Sequence, residues 1–162
     1  NEATQEPLPG ALKAMESAVA HVNRYPDMGA LELREALEVT AAGLAAERRD
    51  DDDVAELRRL LEERNRLWAP EQVASGAERE AIAADLAMHR GVVAASHNAI
   101  YLEFYDSLVP VLQEHLQEFP VGFATSYECA HIAVIDAVAA GDASAARAAA
   151  RELLAEVRRR ER

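Results

Sequence analysis

The chain contains a single cysteine, Cys129, so no internal disulfide can hold it together. It has only 7 glycines, 6 prolines and 5% aromatic residues among its 162, and β-branched runs are scarce. Those shortages leave little material for strands and tight turns. No apolar stretch reaches the roughly 18 residues that a membrane-spanning helix needs. No charged opening followed by an apolar run marks a secretion signal, so a cytoplasmic protein is expected. Basic residues are the scarcer charge, 17 against 29 acidic, for a net charge of −12. Such a surface repels nucleic-acid phosphates and anionic membranes, so any DNA role is expected to belong to a segment outside this chain. There is also no repeat of fixed period, no glycine-rich phosphate loop and no nucleophile elbow.

What is present is alanine, far above common usage, within a chain that is 50% hydrophobic. Alanine loses no side-chain entropy in a helix, and this apolar fraction excludes disorder for most of the chain. The length suits one domain with a real core. Residues 1–10, with two prolines and a glycine, read as a linker or tail. Residues 11–162 read as one helical domain.

Seven helical segments are expected. The first covers 11–24, with Leu12, Met15, Val19 and Val22 on one stripe, and ends at Tyr25-Pro26. The second covers 28–49 behind Asp27, with Leu33, Leu37, Ala41 and Leu44 inward. A capping box of Asp53 with Glu56 starts the third, which buries Val54, Leu57, Leu61 and Trp68. The acidic run 50–53 reads as a solvated turn, and 70–76 as a loop. Ser75 with Glu78 caps the fourth helix, 76–96. Asn98 caps the fifth, 99–119, which Pro110 should kink. Thr125 with Glu128 caps the sixth, 126–140, and Gly141 closes it. Asp142 caps the seventh, 143–160, whose basic end suits the helix dipole. Long helices and short loops predict an all-α, antiparallel bundle.

The fourth helix carries the sharpest chemistry. Its inward stripe reads Ile82, Asp85, Leu86, His89, Val93, Ser96. Asp85 and His89 are four apart and share a face. Buried polar groups must be satisfied, either as a structural Asp–His pair or around a shared metal ion. On spacing alone the structural pair is the better reading, because D-x-x-x-H is a weak pattern. His131 shifts that balance, lying beside Val134, Ile135 and Val138 on the apolar side of another helix. The alternative for His131 is a core histidine bonded to a backbone carbonyl. Two histidines and one carboxylate leave coordination positions open for water or a small acid.

Other candidates are weaker. Cys129 reads as a small buried residue. His21, His97 and His115 have no partner at ligand spacing, and His97 meets its helix dipole. Arg34 reads from its own segment as a surface residue; turned inward, it would need Glu38 or a ligand. Tyr101, Phe104, Tyr105, Phe119 and Phe123 read mostly as core.

Three stretches together carry a family resemblance. They are ELREALE over 32–38 with AAGLAAER over 41–48; Asp85-x-x-x-His89 with AASHN over 94–98; and ECAHIAVIDAVAAGD over 128–142, followed by an Ala/Arg-rich last helix. Over residues 12–157 the chain resembles the FCD domain, the C-terminal effector-binding domain of FadR-type regulators in the GntR family of bacterial transcription factors. The resemblance implies six or seven helices around a central ligand cavity. It implies a divalent metal (Zn, Ni, Mn or Fe) held by an Asp and three His, which in turn binds a small carboxylate effector. Asp85, His89 and His131 match three of those ligands. The fourth falls at Leu153, eleven residues past Asp142, so the set here is Asp-His-His, completed by water or effector. Arg34 falls where family members place an arginine that meets the effector carboxylate. Ser96-His97-Asn98 resembles members that take lactate or pyruvate. The resemblance also implies a homodimer, and a DNA-binding winged helix-turn-helix upstream of this chain. Two other classes stay open at this point. One is a metal-dependent helical-bundle enzyme; the other is a metal-free dimerisation module.

Overall fold

The computed structural model describes residue 13, residues 29–117 and residues 127–160. The linker, nearly all of the first expected helix, His21, Phe119, Phe123 and Thr125 lie outside the described residues, as does the side chain of His115. Seven helices and no strand occupy the described part: α1 Gly29–Arg48, α2 Asp51–Leu67, α3 Pro70–Ala74, α4 Glu78–Ala95, α5 Ala99–Gln117, α6 Glu128–Ala140 and α7 Ala143–Arg160. None of them is long and apolar enough to cross a membrane.

The helix ends show how the sequence sets these boundaries. Asp50 caps α2: its carboxylate accepts from the Asp53 amide while the Asp53 carboxylate accepts from the Asp50 amide. The box is therefore Asp50 with Asp53, not Asp53 with Glu56, which instead holds Arg59 one turn on. The acidic run is mostly the first turn of a helix, where carboxylates meet the positive dipole end. Residues 70–74 form a short helix rather than a loop, because Pro70 at its first position needs no amide partner. Ser75 does not cap α4; its hydroxyl donates back to the Gln72 carbonyl, and Ala77 precedes α4 without a side-chain cap. Tyr127 precedes α6, also without a side-chain cap. Asn98 does cap α5, accepting from the Tyr101 amide. Gly141 ends α6 at φ 74°, with the paired bonds Gly141 to Val138 and Asp142 to Ala137. Asp142 then caps α7 through the Ala145 amide.

Helix α4 contributes to both apolar cores of the bundle. One side of it gives Met88, Val92 and Ala95 to a core shared with α1, α2, α6 and α7. Another side gives Ile82, Leu86 and Val93 to a core shared with α1 and α5. Asp85 and His89 belong to the same helix and are buried as well. The polar site is thus held on a helix that packs against α1, α2 and α5, between two apolar cores.

Candidate functional site

Four helices gather titratable side chains around Asp85. From α1 come Arg34 and Glu38, from α2 Arg64, from α4 His89, and from α6 His131; all are buried. Arg34 donates through Nε to Glu38 Oε1 at 2.7 Å, and its Nη2 lies 4.0 Å from Asp85 Oδ2. Arg64, only 1% exposed, donates through Nε to Asp85 Oδ1 at 3.0 Å. Its guanidinium also lies 5.3 Å over the Trp68 ring.

Asp85, His89 and His131 come together as the spacing suggests. His131 Nε2 is 3.1 Å from Asp85 Oδ1, His89 Nε2 is 3.6 Å from Asp85 Oδ2, and the two Nε2 atoms are 3.3 Å apart. Ligand atoms 2.0–2.2 Å from one ion lie about 3.0–3.5 Å from each other, so the residues present fit a divalent cation.

The proton arrangement points the same way. His131 Nδ1 is 2.7 Å from the Tyr127 carbonyl, which can only accept, so Nδ1 carries the hydrogen. His89 Nδ1 is 2.7 Å from Glu38 Oε2. Burial would raise the Glu38 carboxyl, but Arg34 and then His89 hold it down at about 2, so it is an ionised acceptor. With Nδ1 committed outward on both rings, each turns its Nε2 toward the other and toward Asp85. Burial also pushes Asp85 up, yet His131, His89 and Arg64 keep it well below the usual carboxylate range. Burial lowers His131, and Asp85 recovers only part of that shift. Two imidazole nitrogens and a carboxylate therefore converge on one point, a donor set that suits a divalent cation. Outer hydrogen bonds from a carboxylate and a backbone carbonyl are also what orients metal-binding histidines.

Beside His89 and Glu38 lies a cavity of about 10 Å³, also lined by Ala42, Val92, Val134, Ala150, Leu153 and Leu154. That is the room of roughly one water molecule. Leu153, where the resemblance places a fourth histidine, faces this space and is buried.

Arg34 points inward, in contrast to the surface position its own segment suggests, because Glu38 one turn on supplies its charge partner. Burial opposes that charge, but Glu38 first, then Tyr105 and Asp85, raise Arg34 above its ordinary value. Sequence reasoning passed over Arg64, although it continues the stripe Leu57, Leu61, Trp68 at helical spacing. Cys129 is exposed, not buried. Two residues is over half a helical turn, so it faces away from His131. His97 does have a partner: its Nε2 lies 2.7 Å from Asp53 at the start of α2, and its backbone takes φ 51°. With Asp50 these form a second, exposed group of metal-ligand type.

The FCD domain family model matches residues 29–156. Among solved structures, Streptococcus agalactiae GntR is 26% identical with a TM-score of 0.63, over 81% of this chain and 57% of that one. E. coli McbR/YncC is 20% identical with a TM-score of 0.65, over 79% and 63%, a likeness of fold alone. The chain thus spans under two thirds of either protein. A local likeness of 37 residues, 62% identical, joins it to an aromatic amino acid aminotransferase of Corynebacterium diphtheriae. It takes in 23% of this chain and 11% of that enzyme, too little to bring an active site with it.

Proposed function

The chain belongs to the FCD domain family, and from that premise we propose that it is the ligand-sensing part of a GntR-type transcription regulator. In this reading a small organic acid binds at a divalent metal held by Asp85, His89 and His131. One observation carries it: the Nε2 atoms of two imidazoles and the Asp85 carboxylate converge within 3.6 Å of one another in a buried site. The metal would supply a Lewis-acid centre with open positions for a carboxylate oxygen. The chain's own residues do the rest. Glu38 and the Tyr127 carbonyl fix the two imidazoles with Nε2 inward. Arg64 orients Asp85. Arg34 stands close by as the cation for the acid's carboxylate.

Sensing requires that the acid favour one conformation over another. The cavity, about 10 Å³, is too small for any organic acid, so binding must move side chains or a helix. The reading has no catalytic step. DNA would be held by a domain joined upstream, in a cytoplasmic homodimer whose two copies read paired half-sites.

The test is calorimetric titration of metal-loaded protein with a panel of small carboxylates. Asp85→Ala with His89→Ala should abolish binding of the acid that wild type takes. Unchanged affinity in that double variant would overturn the metal-assisted reading.

A further inference from the structure

Asp85, His89 and His131 are each no more than 9% exposed, so a ligand reaches them only if an element moves. Helix α7 is locked in place. It packs closely against α1 and α6 and buries Ala146, Ala150, Leu153 and Leu154. Its Arg147 side chain crosses α1 where Gly43 leaves room, since a Cβ there would lie 2.3 Å from Arg147 Nε.

Helix α5 is held differently. Among the described residues it packs chiefly against α4 and, to a smaller extent, α1. Tyr105, Leu108 and Leu112 are buried on one side, while Asp106, Ser107, Pro110 and Glu114 are exposed on the other. It is a layer one helix thick between solvent and the core beside the cluster. Pro110 has no amide to give the Asp106 carbonyl one turn back, so the helix lacks a rung there. The Asp106 carboxylate is also what fastens α5 to α4, accepting from Arg90 Nε and Nη2 at 2.6 and 2.8 Å. Both side chains are nearly half exposed, and exposed pairs hold weakly. The missing rung and the clasp thus fall on one residue.

Tyr105 links this helix to the site. Its hydroxyl is wholly buried with no acceptor at bonding geometry among the described residues. Burial, then Glu38, raises it well above its ordinary value, with Arg34 opposing, so it lies beside the charged cluster. A buried donor left unpaired is costly, so the closed position of α5 is not fully satisfied. Elements with few partners and an exposed fastening are the ones that open locally.

We propose that α5 is a door to the buried cluster: the stretch around Asp106 lifts from α4 when the Arg90–Asp106 clasp parts, with Pro110 as the joint. The inference rests on the metal-assisted reading above and names the element whose movement that reading requires. Arg90, Asp106 and Pro110 lie outside the proposed ligand set and govern how fast a ligand enters and leaves.

The experiment compares the full chain with Arg90→Gln and Pro110→Ala, both at the surface. Stopped-flow mixing follows uptake of Zn²⁺ and its release to a chromophoric chelator. Arg90→Gln, which opens the clasp, should speed uptake and release alike by several-fold. Pro110→Ala, which returns an amide to the Asp106 carbonyl, should slow both. Affinity for zinc should hold in each variant, because a lid alters both rates together. Trp68, the chain's single tryptophan, packs against the core that α5 shares with α1 and α4. Acrylamide quenching of its fluorescence therefore reads the same opening without zinc, and should rise in Arg90→Gln and fall in Pro110→Ala. Rates that ignore both variants, or an affinity that shifts because only one rate moves, would overturn the door and leave the metal-assisted reading standing. A chain that binds no zinc would overturn that reading. The door then stands if quenching rises and falls as stated, and is overturned if quenching is the same in all three proteins.

Discussion

At the scale of single residues, the site is made by side chains that hold other side chains. Glu38 fixes His89, so Glu38→Gln should weaken metal binding by about 10–100-fold, the usual cost of losing such a partner. Competition against a chromophoric chelator would measure it. Glu38 also stands at about 2 when folded, below its ordinary 4.5. A depressed carboxyl contributes stability that is present above pH 4.5 and lost as pH falls toward 2. Acid titration by circular dichroism should therefore show unfolding in that window, with a flatter limb in Glu38→Gln. Leu153 faces the same cavity as His89. Leu153→His should supply a fourth nitrogen and tighten metal binding at least about ten-fold; unchanged affinity would mean that this position lies out of reach. Asp85, His89 and His131 were legible in the sequence because each is polar on an otherwise apolar helical stripe. Arg64 lies on such a stripe too. It escaped notice because a long aliphatic stem at a core position ordinarily carries its charge out to water. His97 escaped for another reason: its partner Asp53 is 44 residues away, and no local spacing encodes that meeting.

At the scale of elements, helix positions followed from apolar periodicity, while helix starts depended on which oxygen reached which amide. Two carboxylates competed for one cap at the start of α2, and the pair three apart that could bond reciprocally won. Asp50→Ala should then cost about 1 kcal/mol in thermal unfolding, while Glu56→Ala, which loses only an exposed pair with Arg59, should cost little. The end of α6 was legible as it stands, since glycine alone enters the left-handed region without strain. Gly141→Ala at φ 74° should destabilise by about 1–2 kcal/mol, readable as a lower denaturation midpoint. Proline at the start of α3 reads equally well as a turn or as a first helical residue, so sequence alone left that segment a loop.

At the scale of the whole molecule, this is a helical domain in which α4 carries a charged site between two apolar cores. That arrangement is costly unless every charge is compensated. The all-helical class was readable from alanine content and scarce turn residues, and the family from motifs in order. The packing around Asp85 was not, because it depends on four helices meeting in space. The site is also tight, so on the proposed reading an entering acid would have to shift the balance between conformations. The most direct measurement is the metal content of the purified chain, with melting curves taken with and without chelator. The account predicts near-stoichiometric divalent metal and a melting temperature that chelator lowers and added metal restores by mass action. In Asp85→Ala with His89→Ala, melting should not respond to either. A metal-free protein whose melting ignores both chelator and excess zinc would contradict the central claim.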